Sequence, residues 1–381
     1  MSHIYRDSHV TLAAVWAADA SGGCFVTSNP SHKSKELALT AHGEEPSHMF
    51  FREPLSHSIL KRPLDVRGWA FQERLLSPRM VRFEEQEISW ECSHSVWCEC
   101  SGIAHDKGNL NRELSMAYEC LKTSTTVPEI QNAWEALVQE YSRKELTDTG
   151  DIFPALQGLA KVVSPVMGDY LAGHWSRTLL SSLCWLSADR RIGRRNTYQW
   201  RAPTWSWASI PGAVKWCWRQ ASLGRSLCTV LNAQTVPTGD DPTGPLISGK
   251  LVILGKVIFG TVLSEAHRVT LNNYLQHIDF GLYDRDLWGL PIKTLWDRDI
   301  ASPGADHVAI GARVSALQLY DSINEDTQYW LILRTTDTGM MYERIGLMQL
   351  FSSTRSGISF SQQRVIEDFE LAAQEAEITI V

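Results

Sequence analysis

The sequence predicts an α+β chain, with a mixed, largely helical first half around a Trp-rich core, packed on a C-terminal antiparallel sheet or partly closed barrel. Three observations carry this expectation. Apolar residues recur at helical spacing over 128–141, apolar runs at strand spacing follow from residue 203 onward, and 15 of the 381 residues are Trp, well above ordinary usage. Trp is large, rigid and amphipathic, so it serves cores and apolar-ligand pockets equally well. With 44% hydrophobic and 21% charged residues, the chain can bury one large or two medium cores.

Residues 5–25 carry an apolar run ending in Ser21-Gly22-Gly23, which predicts a short strand or buried segment closed by a turn. Residues 29–54, with His32, His42 and His48, read as a polar surface excursion. Between Gly68 and Ser77-Pro78 helix formers predict one short helix, stopped by a residue that cannot continue it. Residues 80–83 and 88–92 read as the strands of a hairpin with Glu84-Glu85-Gln86-Glu87 as its loop. Pro128 opens a helix whose apolar face is Ile130, Trp134, Leu137, Val138 and Tyr141. Further helices are expected over 152–163 and over 170–185, the latter from Leu171, Trp175, Leu179 and Leu183. Short apolar runs at 251–254, 257–259, 308–310, 317–320, 329–333 and 345–348 predict strands, separated by loops at 235–249 and 297–306. A closing helix over 362–376 and a last strand at 378–381 complete the reading, with regions 1–234 and 250–381 as the expected division.

Charge and composition exclude several classes. The formal net charge is −7 with no run of five like charges, so no nucleic-acid partner is expected. No stretch reaches the ~18 apolar residues of a membrane span, and the first ten residues lack the apolar core of a signal peptide, which reads as cytoplasmic. The eight Cys read as reduced, mostly buried thiols. Cys92, His94, Cys98, Cys100 and His105 cluster, yet their spacing is not that of a zinc finger, so no metal is expected. No Gly-x-Ser-x-Gly elbow, His-Glu-x-x-His pair or Lys-bearing phosphate loop occurs, and no cofactor is expected.

Pro63-Leu64-Asp65-Val66-Arg67-Gly68-Trp69-Ala70-Phe71-Gln72-Glu73-Arg74-Leu75-Leu76-Ser77-Pro78-Arg79, followed by Trp90-Glu91-Cys92, resembles the RGWxxQExxLSPR…WEC block of fungal heterokaryon-incompatibility (HET) domains. The resemblance extends to Ile4-Tyr5-Arg6-Asp7-Ser8-His9-Val10-Thr11-Leu12-Ala13-Ala14, to Asp169-Tyr170-Leu171-Ala172-Gly173-His174-Trp175 and to Arg201-Ala202-Pro203-Thr204-Trp205-Ser206-Trp207-Ala208-Ser209. It implies a role in self/non-self recognition and regulated cell death. By the same comparison the chain is expected to begin after the family's first strand and the segment that follows it, in which its signalling chemistry is thought to reside.

Candidate site residues follow from the motif block. Trp69, Gln72 and Glu73 fall at i, i+3 and i+4, with Arg67 and Arg79 at the helix ends. Arg67, Gln72 and Glu73 are candidate catalytic residues, able to polarise a carbonyl or hold an anionic group; the structural alternative is that Glu73 pairs with Arg67 or Arg79. Trp69, Arg79, Trp90, Glu91, Trp205 and Trp207 are candidate ligand-binding residues. Five Trp fall within 200–218, and on a strand Trp205 and Trp207, like Trp216 and Trp218, would share one face as either core or pocket wall.

Two functions fit. One is a cofactor-independent enzyme of fungal secondary metabolism that binds a large apolar intermediate and preorganises it for cyclisation or isomerisation, in the manner of a Diels–Alderase. The other is a non-catalytic incompatibility protein that binds another fungal protein. An enclosed apolar cavity near Trp69, Trp90 or Trp205 would favour the first, and a solid core with an exposed apolar patch the second.

Overall fold

The computed structural model describes residues 2–27, 29–39, 47–53, 55, 62–93, 95–99, 107–188, 200–216, 224–262, 268–271, 278–279, 292–296, 308, 312–322, 327–351 and 371–381. Helices and strands are both abundant, and the large sheet lies in the C-terminal half, so the α+β expectation holds. The chain divides into two compact units, Met1–Lys122 with Lys144–Leu146, and Thr123–Arg143 with Thr147–Val381.

In the first unit, helix α1 (Ser2–Arg6) leads into strand β1 (Thr11–Ala14). The described residues of the 29–54 excursion are largely exposed, as expected, but they include a hairpin of β2 (Lys35–Leu39) and β3 (Ser47–Phe51), exposed on both faces. Helix α2 (Gly68–Leu76) is the short helix the sequence predicts; the Ser77 N–H and hydroxyl both donate to the Glu73 carbonyl where Pro78 ends it. Strands β4 (Arg79–Phe83) and β5 (Ile88–Cys92) form the predicted hairpin, and β6 (Val96–Cys98) extends it. β1 joins β4 in parallel, giving a four-stranded order β1-β4-β5-β6. Helix α3 (Lys107–Thr123) follows.

The glycine of the motif has a packing reason. The Gly68 N–H donates to the Glu145 carbonyl at 2.7 Å, and a Cβ there would sit 2.5 Å from Leu146 Cδ2. Only Gly lets residues 144–146 lie so close to the start of α2.

The second unit begins with α4 (Val127–Tyr141), whose predicted apolar face, Ile130, Trp134, Leu137, Val138 and Tyr141, is buried. The helix expected over 152–163 starts later: 3₁₀ turns at Thr149–Ile152 and Pro154–Leu156 precede α5 (Gln157–Met167). The helix expected over 170–185 does not form. In its place stand β7 (Tyr170–Leu171), β8 (His174–Trp175), a 3₁₀ turn, the single turn α6 (Leu179–Ser182) and β9 (Trp185–Ser187). Buried residues at i and i+4 match a helix by coincidence, because every element here is covered on both faces. The local backbone decides otherwise: Ala172 at φ 49° and Gly173 at φ 90° are left-handed, which makes a tight hairpin.

Strand β10 (Val214–Trp216) pairs with β9. Next come β11 (Arg225–Ser226), β12 (Cys228–Pro237), the 17-residue β13 (Leu246–Val262), β14 (Arg268–Leu271), β15 (Ile278–Asp279) and β16 (Ile292–Trp296). They are followed by β17 (Arg313–Ser322), β18 (Thr327–Thr335), β19 (Tyr342–Phe351) and β20 (Gln374–Ile380). Pairing runs β13-β17-β18-β19-β20 and back to β13, so these strands close on themselves and the barrel alternative is the one realised. Leu251, Ile253, Leu317, Leu331, Leu347 and Ile380 are completely buried. The expected runs at 251–254 and 257–259 are one strand, and the 235–249 loop shrinks to the turn joining the paired strands β12 and β13. Residues 309–310 and most of the expected closing helix lie outside the described residues.

One thiol expectation is corrected: Cys98 is disulfide-bonded, whereas Cys24, Cys92, Cys120, Cys184 and Cys228 are not in disulfides. Spacing in sequence does not reveal which thiols are brought together in space.

Candidate functional site

Alternation along β4 and β5 separates two faces of the first unit's sheet. One face buries Ala13, Met80, Arg82, Ser89, Glu91 and Cys98. Between this face and α2 runs an ion network. Arg74, from α2, donates through Nε to both Glu91 carboxylate oxygens at 3.0 and 2.9 Å, and its Nη2 lies 2.8 Å from Oε2. Arg82 Nη2 meets Asp65 at 2.7 Å, and Arg82 Nε lies 3.7 Å from Glu84. Arg62 holds Glu84 at 2.6 Å, and the Ser89 hydroxyl donates to Glu84 at 2.9 Å. Burial alone would raise the Asp65 pKa, but Arg82 and Arg74 outweigh it and hold the carboxyl below its usual range. Three guanidinium groups balance three carboxylates, so the network is neutral within itself and ties α2 to the sheet.

The predicted site residues distribute around this network rather than forming one pocket. Glu91 is part of it. The buried stripe of α2 is Gly68, Phe71, Gln72 and Leu76, so Gln72 faces inward while Trp69 and Glu73 lie half-buried on its flanks. Glu73 hydrogen-bonds the Tyr5 hydroxyl, and burial together with this carboxylate pushes the phenol up to about 12. The Arg79 guanidinium donates to the His9 carbonyl at 3.3 Å and is exposed, as is Arg67, whose backbone bridges to Glu145. Cys98 is in a disulfide and not available as a thiolate ligand, and His94, Cys100 and His105 lie outside the described residues. Among the described residues no three His, Cys, Asp or Glu side chains converge to hold a metal ion.

The other face of the same sheet carries an apolar row that sequence reasoning missed. The registers place Leu12 beside Val81, Val81 beside Trp90, and Trp90 beside Trp97 across all four strands. Leu12 is 63% and Trp97 52% exposed, and Val81 and Trp90 are half-buried. Phe83 lies on the same face, edge-to-face with Phe25 at 5.3 Å. The signal was present as odd-numbered apolar residues in β4 and even-numbered ones in β5, but only register shows that they align.

In the second unit Trp205 and Trp207 are 0% and 1% exposed. The strand expected for them is instead a turn leading into a 3₁₀ helix, Trp207–Ser209, capped by the Ser206 hydroxyl. Trp218 lies outside the described residues. Gly173's carbonyl accepts from Trp134 Nε1 and Trp207 Nε1, both at 3.1 Å, and the Ser206 hydroxyl donates to the Ala172 carbonyl at 2.6 Å. The two downstream motifs, 169–175 and 201–209, therefore meet as a clamp on a hairpin. Beside it His174 is buried, and burial first, then Arg344, lowers its pKa to about 3. Arg344 stacks on Trp185 at 3.5 Å and its Nη2 donates to the Trp185 carbonyl at 2.6 Å.

Among the described residues no helix is long and apolar enough to cross a membrane. No curated protein and no solved structure matches the chain. One family model does, that of the heterokaryon incompatibility protein (HET), over residues 1–73, from α1 to Glu73 in α2. That stretch includes the Ile4-to-Ala14 motif and the Arg67-Gly68-Trp69 start of the motif block, and over these 73 residues the chain is similar to the heterokaryon-incompatibility family.

Proposed function

We propose that the chain is a recognition protein of the incompatibility type, which binds another fungal protein through the outer face of the first unit's sheet. The observation carrying this reading is the aligned row Leu12, Val81, Trp90 and Trp97, with Leu12 and Trp97 more than half exposed. Aromatic anchors on a rigid sheet are what protein interfaces concentrate their energy on. The HET match over 1–73 supports the family role and includes β1, which contributes Leu12.

The cyclase or isomerase reading needs an enclosed apolar cavity near Trp69, Trp90 or Trp205. The Trp205 and Trp207 indoles are packed to 0–1% exposure, and the neighbours of Trp207 are hairpin backbone and other rings. Trp69, Gln72 and Glu73 flank a charge network balanced within itself. The geometry supports recognition better.

The test is expression of the chain in a fungal host, scoring growth arrest for wild type, Trp97→Ser and Leu12→Ser. Both changes lie at exposed positions, so an unchanged circular-dichroism spectrum and loss of the response in both are expected. A full response from both variants, or none from wild type, sinks the reading. A single isomeric product on incubating the purified protein with polyketide or terpene intermediates would reverse the preference.

A further inference from the structure

The first unit exposes two apolar surfaces, and each fits the other. The β2–β3 hairpin pairs with no further strand among the described residues. A two-stranded ribbon alone in water is marginally stable at best, so it needs cover. The register places Leu37, Leu39, Met49 and Phe51 on one face, each between 44% and 53% exposed, with Lys35 beside Phe51 at the base of the hairpin. The opposite face carries the hydrogen-bonded Glu36 and His48 beside Phe50 and is the more polar of the two.

The second surface is the row Leu12, Val81, Trp90 and Trp97 on the outer face of the sheet. It crosses four strands, a span of about 14 Å at ~4.8 Å per step. The apolar face of the hairpin is four residue steps long, which at ~3.4 Å each is also about 14 Å. Crossed steeply, as in orthogonal sheet packing, the hairpin covers the row from end to end.

Charge fixes which way round they meet. Glu99, two residues beyond Trp97, is exposed; one carboxylate oxygen accepts from the Ile88 N–H at 2.9 Å, and the other has no partner among the described residues. Lys35 is exposed and has no carboxylate partner among the described residues. Setting the base of the hairpin at the Trp97 end brings Lys35 to Glu99 and keeps it from the exposed Arg79 at the start of β4.

We propose that the outer face is occupied by the β2–β3 hairpin of a second copy of this chain, each copy lending its hairpin to the other. The proposal rests on the outer face being the recognition surface and names its occupant. Within one chain the two surfaces do not meet, since both are exposed in the same unit. Reciprocal exchange uses both surfaces of both copies and closes at two, whereas one-way docking propagates into a filament.

Sedimentation equilibrium of the full chain between about 1 and 100 µM tests this. A mass twice that of the 42.9 kDa chain is expected at the upper end. Phe51→Ser in the hairpin and Trp97→Ser on the face, both at exposed positions, should each weaken association by about tenfold or more. Lys35→Glu should weaken it about fivefold at low salt, and adding Glu99→Lys should restore it, because only hairpin-on-face docking couples these two positions. A monomer at every concentration, an unchanged dimer in either Ser variant, or additive losses from the two charge reversals overturns the inference. Its failure is separable from that of the recognition reading. A monomeric wild type whose growth arrest still needs Trp97 sinks the dimer alone, and a dimer that Trp97→Ser dissociates without changing growth arrest sinks the recognition reading alone.

Discussion

Replacing Gly173 by Ala tests the hairpin clamp directly. Gly173 sits at φ 90°, a region costing an L-residue about 1–2 kcal/mol. The new Cβ would lie 2.3 Å from Trp207 Nε1, 2.7 Å from Cε2 and 3.0 Å from Cζ2, all side-chain atoms of an indole that is 1% exposed. That ring has no room to retreat, since Tyr141 and Phe153 meet it edge-on at 6.3 and 6.2 Å. Relief therefore comes from moving the hairpin, which breaks at least one of the 3.1 Å bonds from Trp134 and Trp207 and leaves a buried donor unpaired, at about 1–3 kcal/mol. Together these give a loss of about 2–5 kcal/mol, a large share of the ~5–15 kcal/mol by which domains are stable. Equilibrium urea unfolding followed by Trp fluorescence measures it, with Gly239→Ala as control because nothing lies within 4 Å of a Cβ there. A Gly173→Ala midpoint shift worth less than about 1 kcal/mol would refute the clamp.

Three more outcomes are expected. Arg74→Met should cost about 3–5 kcal/mol by leaving Glu91 buried without its bidentate partner, whereas Arg74→Met with Glu91→Leu should recover most of it; a double-mutant cycle with no coupling contradicts the network. His174 has a folded pKa of about 3, below its unfolded value, so its contribution to stability is present above about pH 6.5 and is lost as pH falls toward 3, by at most about 1.4 kcal/mol per unit. His174→Gln should flatten urea midpoints between about pH 6.5 and 5, above the carboxylate range, and identical slopes would contradict this. Asp65 has a depressed folded pKa, so it stabilises above about pH 4 and that contribution fades as pH drops further; Asp65→Asn should remove this acid-side loss, read from midpoints at pH 5 and 3.

Local signals were read from sequence where one force dominates. Helix α2 ends at Ser77-Pro78, the β4–β5 hairpin turns at an acidic loop, and the face of α4 follows a plain 3.6-residue period. The failures sit where tertiary partners override local pattern. Leu171, Trp175, Leu179 and Leu183 are spaced like a helix, yet a left-handed pair held by indoles thirty or more residues away makes a hairpin. Trp205 and Trp207 alternate like a strand, yet Trp205 lies in a turn and the Ser206 cap starts a 3₁₀ helix at Trp207. For the candidate site, the pairing of Glu91 with Arg74 and the inward position of Gln72 depended on which way α2 rolls, which the motif block alone does not encode. The apolar row needed the register of four strands, which no single stretch of sequence contains.

The closed ring of β13, β17, β18, β19 and β20 has a kinetic meaning. Leu251 pairs with Ile380 and Val257 with Leu317, so the long central strand acquires its neighbours from far downstream. Until they arrive, the described local partners of β13 are the hairpin strands β12 and β14. Folding of the second unit should therefore be slow for its size, with loop closure across distant segments setting the rate. During that interval the unpaired edges of β13 are the segment most in need of protection from aggregation.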